Sequence, residues 1–160
     1  MLLTPDRNLA LYAASKTGKK IHIWEGCCPI HDQLKPEDVA SARTAHPGAV
    51  FLAHPECRPE ILEMADVVAS TSGMLNHVAA AREKEFIIGT ENGILHPMRK
   101  AAPDKILYPA SDKMICGDMK KISLQDVLTS LEELSGEVKV PEEIRVPALK
   151  AVQAMIDLKI

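Results

Sequence analysis

Four clusters of residues with chemically capable side chains each follow a short apolar run of the sequence. The clusters are Glu25-Gly26-Cys27-Cys28-Pro29-Ile30-His31, His54-Pro55-Glu56-Cys57, Ser70-Thr71-Ser72-Gly73 and Thr90-Glu91-Asn92-Gly93. Thiols and imidazoles bind metals, imidazoles and carboxylates move protons, and hydroxyls beside a helix start bind anions. The sequence therefore supplies the groups for a site, provided that the fold brings them together.

The apolar runs before these clusters predict buried strands, and segments with helical periodicity separate them. Predicted strands cover residues 20–24, 49–53, 66–70, 85–89 and 105–109. Predicted helices cover residues 8–17, 36–45, 59–65, 73–84, 93–101, 123–135 and 147–158. Alternating strands and helices predict an α/β fold with a parallel sheet. Ligands bind beyond the carboxyl ends of such strands, so we expect all four clusters at one edge.

Prolines and capping residues set several of the predicted boundaries. Pro36, Pro59 and Pro147 are each expected to open a helix, because proline suits the first helical turn. Ser123 and Asp126 resemble a capping box at the start of the most amphipathic helix.

Composition excludes several classes of protein. The hydrophobic fraction is 46%, the charged fraction is 26% and the net charge is −3, which is ordinary for a globular protein and does not indicate nucleic-acid binding. Apolar runs are far shorter than the roughly 20 residues of a membrane span, and the N-terminus does not resemble a secretory signal. We therefore expect a cytoplasmic protein, with no nucleic-acid or membrane partner.

The four cysteines leave two interpretations open. Cys28 and Cys116 lie in polar loops, and His31 is near Cys28, so a metal or iron–sulfur site is possible chemistry. Scattered cysteines outside a Cys-x-x-Cys pattern are also commonly buried small hydrophobes, and Cys27 and Cys57 fit that description as well.

Two further clusters suit a polar substrate, each beside a simpler alternative. Proline between His54 and Glu56 holds the two side chains in a defined relation that suits acid–base work, although the segment could merely cap a helix. Ser70 and Thr71 beside a helix start suit a carboxylate or phosphate, although Ser72 could simply cap that helix. The absence of a glycine-rich dinucleotide or P-loop sequence argues against a nucleotide.

Together the motifs resemble those of the quinolinate synthase family. The resembling stretches are Leu3-Thr4-Pro5-Asp6-Arg7-Asn8-Leu9, Trp24-Glu25-Gly26-Cys27-Cys28-Pro29-Ile30-His31, His54-Pro55-Glu56-Cys57, Ser70-Thr71-Ser72-Gly73-Met74, Phe86-Ile87-Ile88-Gly89-Thr90-Glu91-Asn92-Gly93-Ile94 and Cys116-Gly117-Asp118-Met119-Lys120-Lys121-Ile122. They occur in family order and cover essentially the whole chain.

The resemblance implies a transferase of NAD biosynthesis that condenses iminoaspartate with dihydroxyacetone phosphate to quinolinate. It implies a [4Fe–4S] cluster held by three cysteines, with Cys28 and Cys116 at two of those positions, and an open iron acting as a Lewis acid. It further implies that His54 and Glu56 are catalytic and that both contact substrate. Ser70, Thr71 and His31 are the other residues expected to bind or support substrate.

The family's members are about twice as long as this chain, with three α/β domains, so the resemblance implies a truncated three-layer sandwich. Residues 1–26 would end the second domain, residues 27–115 would form the third, and residues 116–160 would form the cluster-ligand loop and final helices. The first domain, with the first cluster cysteine, would be missing, so we expect the isolated chain to be inactive. An N-terminal half or L-aspartate oxidase is the expected protein partner.

Two functions of other classes remain open. One is a non-catalytic α/β module that binds a phosphate or dicarboxylate at residues 70–73. The other is a zinc-dependent hydrolase that uses His31, His54 and a cysteine.

Overall fold

The computed structural model describes residues 1–158, which form two compact units: Met1–Gly117 and a second unit that begins at Asp118. The first unit carries both parallel sheets, with helices flanking the larger one. This confirms the predicted α/β class with a parallel sheet. The predicted division at residues 26 and 115 stays a prediction.

The larger sheet has four parallel strands in the order β4-β3-β5-β6. They are β3 (Val50–Ala53), β4 (Val67–Val68), β5 (Glu85–Gly89) and β6 (Ile106–Pro109). Strand β5 matches its predicted bounds, and β4 is shorter than predicted. Since β3 and β5 are central, both their faces are buried, which explains their continuous apolar sequence.

Helices cover both faces of this sheet, which makes three layers. Alternate residues of each strand point to opposite faces. Phe51 and Ile87 therefore pack with α3 (Pro36–Ala45) and α4 (Pro59–Met64). Leu52 and the other strand residues that point to the opposite face pack with α5 (Thr71–Ala80) and α6 (Leu95–Ala101). Helix α3 has its predicted bounds, and a 3₁₀ turn, Asn92–Ile94, precedes α6.

The first residues form a second, smaller sheet. Strand β1 (Leu2–Leu3) pairs in parallel with β2 (His22–Ile23), and α1 (Arg7–Thr17) connects them. Asp6 caps α1 by accepting the Leu9 N–H, and Gly18 ends the helix in the left-handed region at φ 62°. Helix α2 (Pro29–Asp32) follows β2 and places a short turn beyond its carboxyl end.

The second unit contains α7 (Leu124–Glu133) and α8 (Glu142–Ile156). The predicted capping box of α7 is confirmed, because Ser123 and Asp126 exchange hydrogen bonds with each other's backbone N–H. The predicted start of the last helix at Pro147 is wrong: α8 begins five residues earlier, and Pro147 lies inside it. Pro141 and the acidic first turn, Glu142 and Glu143, favour that earlier start.

Among the described residues, no helix has the length and apolar character to cross a membrane.

Gly89, at the carboxyl end of β5, is in close contact with the neighbouring strand. A Cβ there would lie 2.8 Å from Phe51 Cε2 and 3.0 Å from the Leu52 carbonyl oxygen. We expect Gly89→Ala to lower the free energy of unfolding by about 1–3 kcal/mol, since Phe51 is fully buried and a Cβ would overlap its ring. Urea unfolding measures this. Gly48→Ala, where a Cβ meets nothing within 4 Å, is the control and is expected to be near neutral. Equal losses in both variants would contradict the packing account.

Candidate active site

Three predicted site residues bring their donor atoms together in the first unit. Cys28 Sγ, a ring nitrogen of His31 and a carboxylate oxygen of Glu56 all lie within 4.8 Å of one another. Cys28 precedes α2, which Pro29 opens, and His31 lies within this turn of helix. Glu56 follows β3. The carboxyl ends of β2, in the smaller sheet, and β3, in the larger sheet, therefore meet.

His31 is the buried member of this group, with 7% of its surface exposed. Its Nε2 lies 2.8 Å from Thr90 Oγ1, at the end of β5. Its Nδ1 lies 3.0 Å from Glu56 Oε2, but the two atoms are not aligned as a hydrogen bond, and Nδ1 has no hydrogen-bond partner among the described residues. If Nε2 donates its proton to Thr90, Nδ1 carries a lone pair that suits a metal or a proton.

His54 stacks on His31, with ring centroids 4.4 Å apart and an angle of 15° between the planes. The Glu56 N–H donates to His54 Nδ1 at 3.3 Å, which favours the neutral ring. Burial lowers the pKa of both histidines and raises the pKa of Glu56. The site therefore holds two neutral imidazoles beside a carboxyl group that keeps its proton more readily than usual, an arrangement suited to proton transfer.

Cys28 and Glu56 share the wall of a cavity of about 180 Å³. Its other lining residues are Pro5, Asp6 and Cys27. A larger cavity of about 320 Å³ lies between α1 and α4, but its lining is mostly apolar and includes no predicted site residue. The chemistry of the donor groups, and not cavity size, therefore identifies the site.

A polar network that the sequence did not predict supports this group. Asn8, 3% exposed, donates through Nδ2 to Asp32 Oδ1 at 2.9 Å and to the Glu56 carbonyl oxygen at 3.0 Å. Asp32 also accepts from Arg7 and Arg58. Helix α1 thereby fixes the backbone of Glu56. The one available signal was the stretch Leu3–Leu9, which the family resemblance included but to which no role was given.

Asp32 makes the first unit sensitive to acid. Its hydrogen bond from Arg58, followed by those from Asn8 and Arg7, lowers the pKa of Asp32 to about 2. Because the folded pKa is below the ordinary value, the carboxylate stabilises the fold above about pH 4, and this contribution is lost as pH falls toward 2. We expect a loss of order 1–2 kcal/mol, reduced by solvent screening at the exposed arginines.

Urea unfolding between pH 2 and pH 5 measures this effect, with Asp32→Asn as the variant. The Asn variant is expected to lack most of this acid-dependent loss, and Glu60→Gln, at an exposed position of α4, serves as the control. Parallel pH profiles for wild type and Asp32→Asn would show that Asp32 is not responsible.

Cys116 lies in the loop after β6 and is half-buried. Its N–H donates to Glu91 Oε1 at 3.3 Å, so the loop is tied to the end of β5. Among the described residues, its sulfur does not belong to the close group formed by Cys28, His31 and Glu56. Its predicted role as a metal ligand stays a prediction.

Ser70 and Thr71 lie at the start of α5, beyond the carboxyl end of β4, and both are exposed. Ser70 is the N-cap, since its Oγ accepts the Gly73 N–H at 3.3 Å. The suggested capping by Ser72 is therefore wrong, and α5 begins two residues earlier than predicted. Their predicted role in substrate binding stays a prediction.

Cys57 is fully buried, and its thiol donates to the Gly89 carbonyl oxygen at 3.5 Å. Burial raises the pKa of Cys57 to about 12, so the thiol stays protonated. A protonated buried thiol is a poor metal ligand, whereas Cys27 and Cys28 are half-buried on the cavity wall.

Comparison with known proteins explains why these residues occur together. The model of the quinolinate synthetase A protein family (NadA) matches residues 1–157. The chain belongs to this family. It is 49% identical over 160 residues to quinolinate synthase 1 of Methanosarcina acetivorans, which covers 100% of the chain and 53% of that protein. It is 48% identical over 159 residues to the quinolinate synthase of Thermodesulfovibrio yellowstonii, covering 99% of the chain and 52% of that protein.

The chain thus spans about half the length of the curated quinolinate synthases that it matches. The family implies a metal cofactor, and the donor set fits one: a cysteine sulfur, a carboxylate and a buried ring nitrogen without a hydrogen-bond partner share one place. Cys28 contributes the sulfur atom of this group.

Proposed function

We propose that this chain supplies the Cys28 side of a quinolinate synthase active site. The reaction is the condensation of iminoaspartate with dihydroxyacetone phosphate to quinolinate, with loss of phosphate and water. The observation that carries the proposal is the meeting of Cys28, His31 and Glu56 within 4.8 Å, in a chain of this family.

The proposed cofactor is a [4Fe–4S] cluster, with Cys28 and Cys116 as two of its ligands. When bound, the cluster would supply a Lewis acid at an iron without a cysteine ligand, which assists loss of water. A third cysteine would come from an N-terminal half. Cys57 is unsuited to that role because its thiol is buried and protonated.

The residues around the cofactor would bind substrate and move protons. Glu56 is the proposed acid–base residue, because burial raises its pKa and His31 and His54 lie 3.0 and 3.8 Å away. The neutral His54 would hold a polar substrate group, while His31, fixed by Thr90, would support Glu56.

Ser70 and Thr71 would bind a substrate carboxylate or phosphate. Both hydroxyls lie at the N-terminus of α5, a helix of ten residues, where backbone N–H groups and the helix dipole favour an anion. Both substrates of the proposed reaction are anions, so each carries a group that this helix N-terminus would bind.

The proposed reaction also suggests a cellular location and protein partners. We place the protein in the cytoplasm, with L-aspartate oxidase as the source of iminoaspartate and an N-terminal half as the structural partner. By itself the chain is proposed to be inactive, because two cysteines cannot supply three cluster ligands.

The Cys28, His31 and Glu56 group also favours one alternative, a single zinc ion. It has the sulfur, nitrogen and oxygen donors of a catalytic zinc site with one position open. The sequence predicted His31, His54 and a cysteine as the zinc ligands, and in the structure Glu56 takes the place of His54. Stoichiometric zinc in colourless protein with hydrolase activity would favour it over the cluster.

The test is quinolinate formation under anaerobic conditions from iminoaspartate and dihydroxyacetone phosphate, after supply of iron and sulfide. The chain is mixed with the complementing half, defined as the part of Methanosarcina acetivorans quinolinate synthase 1 outside its match to this chain. We expect quinolinate from the mixture and none from either component alone. A mixture that forms a complex but no quinolinate would overturn the proposal.

A further inference from the structure

Two buried carboxylates hold the backbones of the two candidate cluster cysteines. Asp6, 2% exposed, accepts the Cys28 N–H through Oδ2 at 2.7 Å. Glu91, 8% exposed, accepts the Cys116 N–H through Oε1 at 3.3 Å. The cysteines lie in different loops, and the carboxylates follow different strands. The same contact therefore occurs twice in independent parts of the first unit.

Each carboxylate uses its second oxygen to cap a helical turn. Asp6 Oδ1 accepts the Leu9 N–H at 2.8 Å at the start of α1. Glu91 Oε2 accepts the Gly93 N–H at 2.8 Å at the start of the 3₁₀ turn. A cap requires only one oxygen, and serine or asparagine would provide it. Capping thus accounts for one oxygen of each carboxylate and leaves the contact with the cysteine to be explained.

We propose that Asp6 and Glu91 are positioning residues for Cys28 and Cys116, respectively. Each rigidly links a cysteine backbone to a helical turn, so that the thiol is held in place before a metal group binds. The inference rests on the proposed function, because it takes these two cysteines as the cluster ligands.

The contact has a second consequence for a bound cluster. The N–H groups of Cys28 and Cys116 donate to carboxylates and are not available to a thiolate sulfur. Nearby negative charge and fewer hydrogen bonds to sulfur both lower the reduction potential of an iron–sulfur cluster. Asp6 and Glu91 are therefore expected to keep that potential low.

Alkylation of the metal-free chain at a pH where both thiols are ionised tests the positioning, because loss of a neighbouring negative charge then leaves the thiolate fraction unchanged. Asp6→Asn keeps a good N-cap for α1, since asparagine caps as well as aspartate, but can turn an N–H donor toward the Cys28 N–H. Mass spectrometry after timed iodoacetamide treatment reports Cys28 and Cys116 separately. We expect Asp6→Asn to speed labelling of Cys28 by about tenfold and leave Cys116 unchanged, with the converse in Glu91→Gln.

Asp66→Asn is the matched control. Asp66 Oδ2 accepts the Phe51 N–H at 2.8 Å, so the same substitution removes the same kind of bond from a backbone that carries no cysteine. It is expected to change neither labelling rate. Equal acceleration of both cysteines in each variant, or rates no different from those of Asp66→Asn, would overturn the proposal.

The reduction potential of the bound cluster separates the electrostatic effect of the two carboxylates from a general loosening of the fold. In the mixture with the complementing half, EPR-monitored titration is expected to shift to more positive potential in Asp6→Asn and Glu91→Gln, but not in Asp66→Asn. An unchanged potential would overturn the electrostatic part of the proposal. A wild-type mixture without a cluster would count against the proposed function, and the alkylation result would still decide the positioning.

Discussion

Glu56→Gln is expected to lower the rate of quinolinate formation by the complemented enzyme by about 100-fold or more. Positioned acid–base groups contribute about 10² to 10⁴ in rate, and a glutamine cannot take up or release the proton. Glu56 is the only carboxylate in the group with Cys28 and His31 among the described residues. The substitution preserves shape, so the hydrogen bond from Asn8 to the Glu56 backbone should persist.

The steady-state rate of quinolinate release measures this effect, with iron content determined on the same sample. Glu60→Gln, the same change four residues later at an exposed position of α4, is the control and should behave as wild type. A Glu56→Gln enzyme that loads iron normally and retains the wild-type rate would exclude Glu56 as the acid–base residue. If iron were lost with activity, Glu56 would instead be required to hold the cofactor.

Cys28→Ser and Cys116→Ser are each expected to remove most of the iron from the complemented enzyme. Serine does not replace a thiolate as a cluster ligand under ordinary conditions, because its hydroxyl stays protonated. Iron and sulfide analysis after anaerobic reconstitution measures the loss, and circular dichroism checks that the variants remain folded.

Cys57→Ala is the matched control for these two variants. Its thiol is buried in an apolar cluster and has a pKa raised to about 12, so we expect the variant to keep its iron at some cost in stability. Full iron in Cys28→Ser, or loss of iron in a folded Cys57→Ala, would contradict the ligand assignment.

The sheet and its covering helices could be predicted from the sequence because their signals are local. Strand β5 is a short apolar run between polar turns, and α3 starts at a proline, so both have their predicted bounds. Parallel strands also place their carboxyl ends at one edge, so the ends of β3 and β5 meet as expected, with the His54 N–H donating to the Gly89 carbonyl oxygen. Cys28 follows β2 of the smaller sheet, so its meeting with Glu56 did not follow from that argument.

Boundaries with weak or competing local signals could not be predicted. Strand β1 has two residues and forms only by pairing with β2, so no periodicity identifies it. Pro147 looked like a helix start because proline is common there, but exposed α8 accommodates it as an internal residue. At α5, Ser70 and Ser72 are both good caps, and the sequence could not choose between them.

The supporting network of the site could not be predicted because its contacts are distant in sequence. Asn8 contacts residues 24 and 48 positions away, and Asp6 contacts one 22 positions away. Asp, Asn and Arg are common at exposed positions, and only the fold shows that Asp6 and Asn8 are buried. Their chemistry was visible in the sequence, but their partners were not.

The most direct test of the account is the iron content of the 160-residue chain, measured with and without the complementing half. The samples are reconstituted anaerobically, purified and analysed for iron, sulfide and the EPR signal after reduction. We predict about four irons per complex when both parts are present and little when the chain is alone. About four irons in the chain alone would contradict the claim that this chain supplies only part of the cluster site.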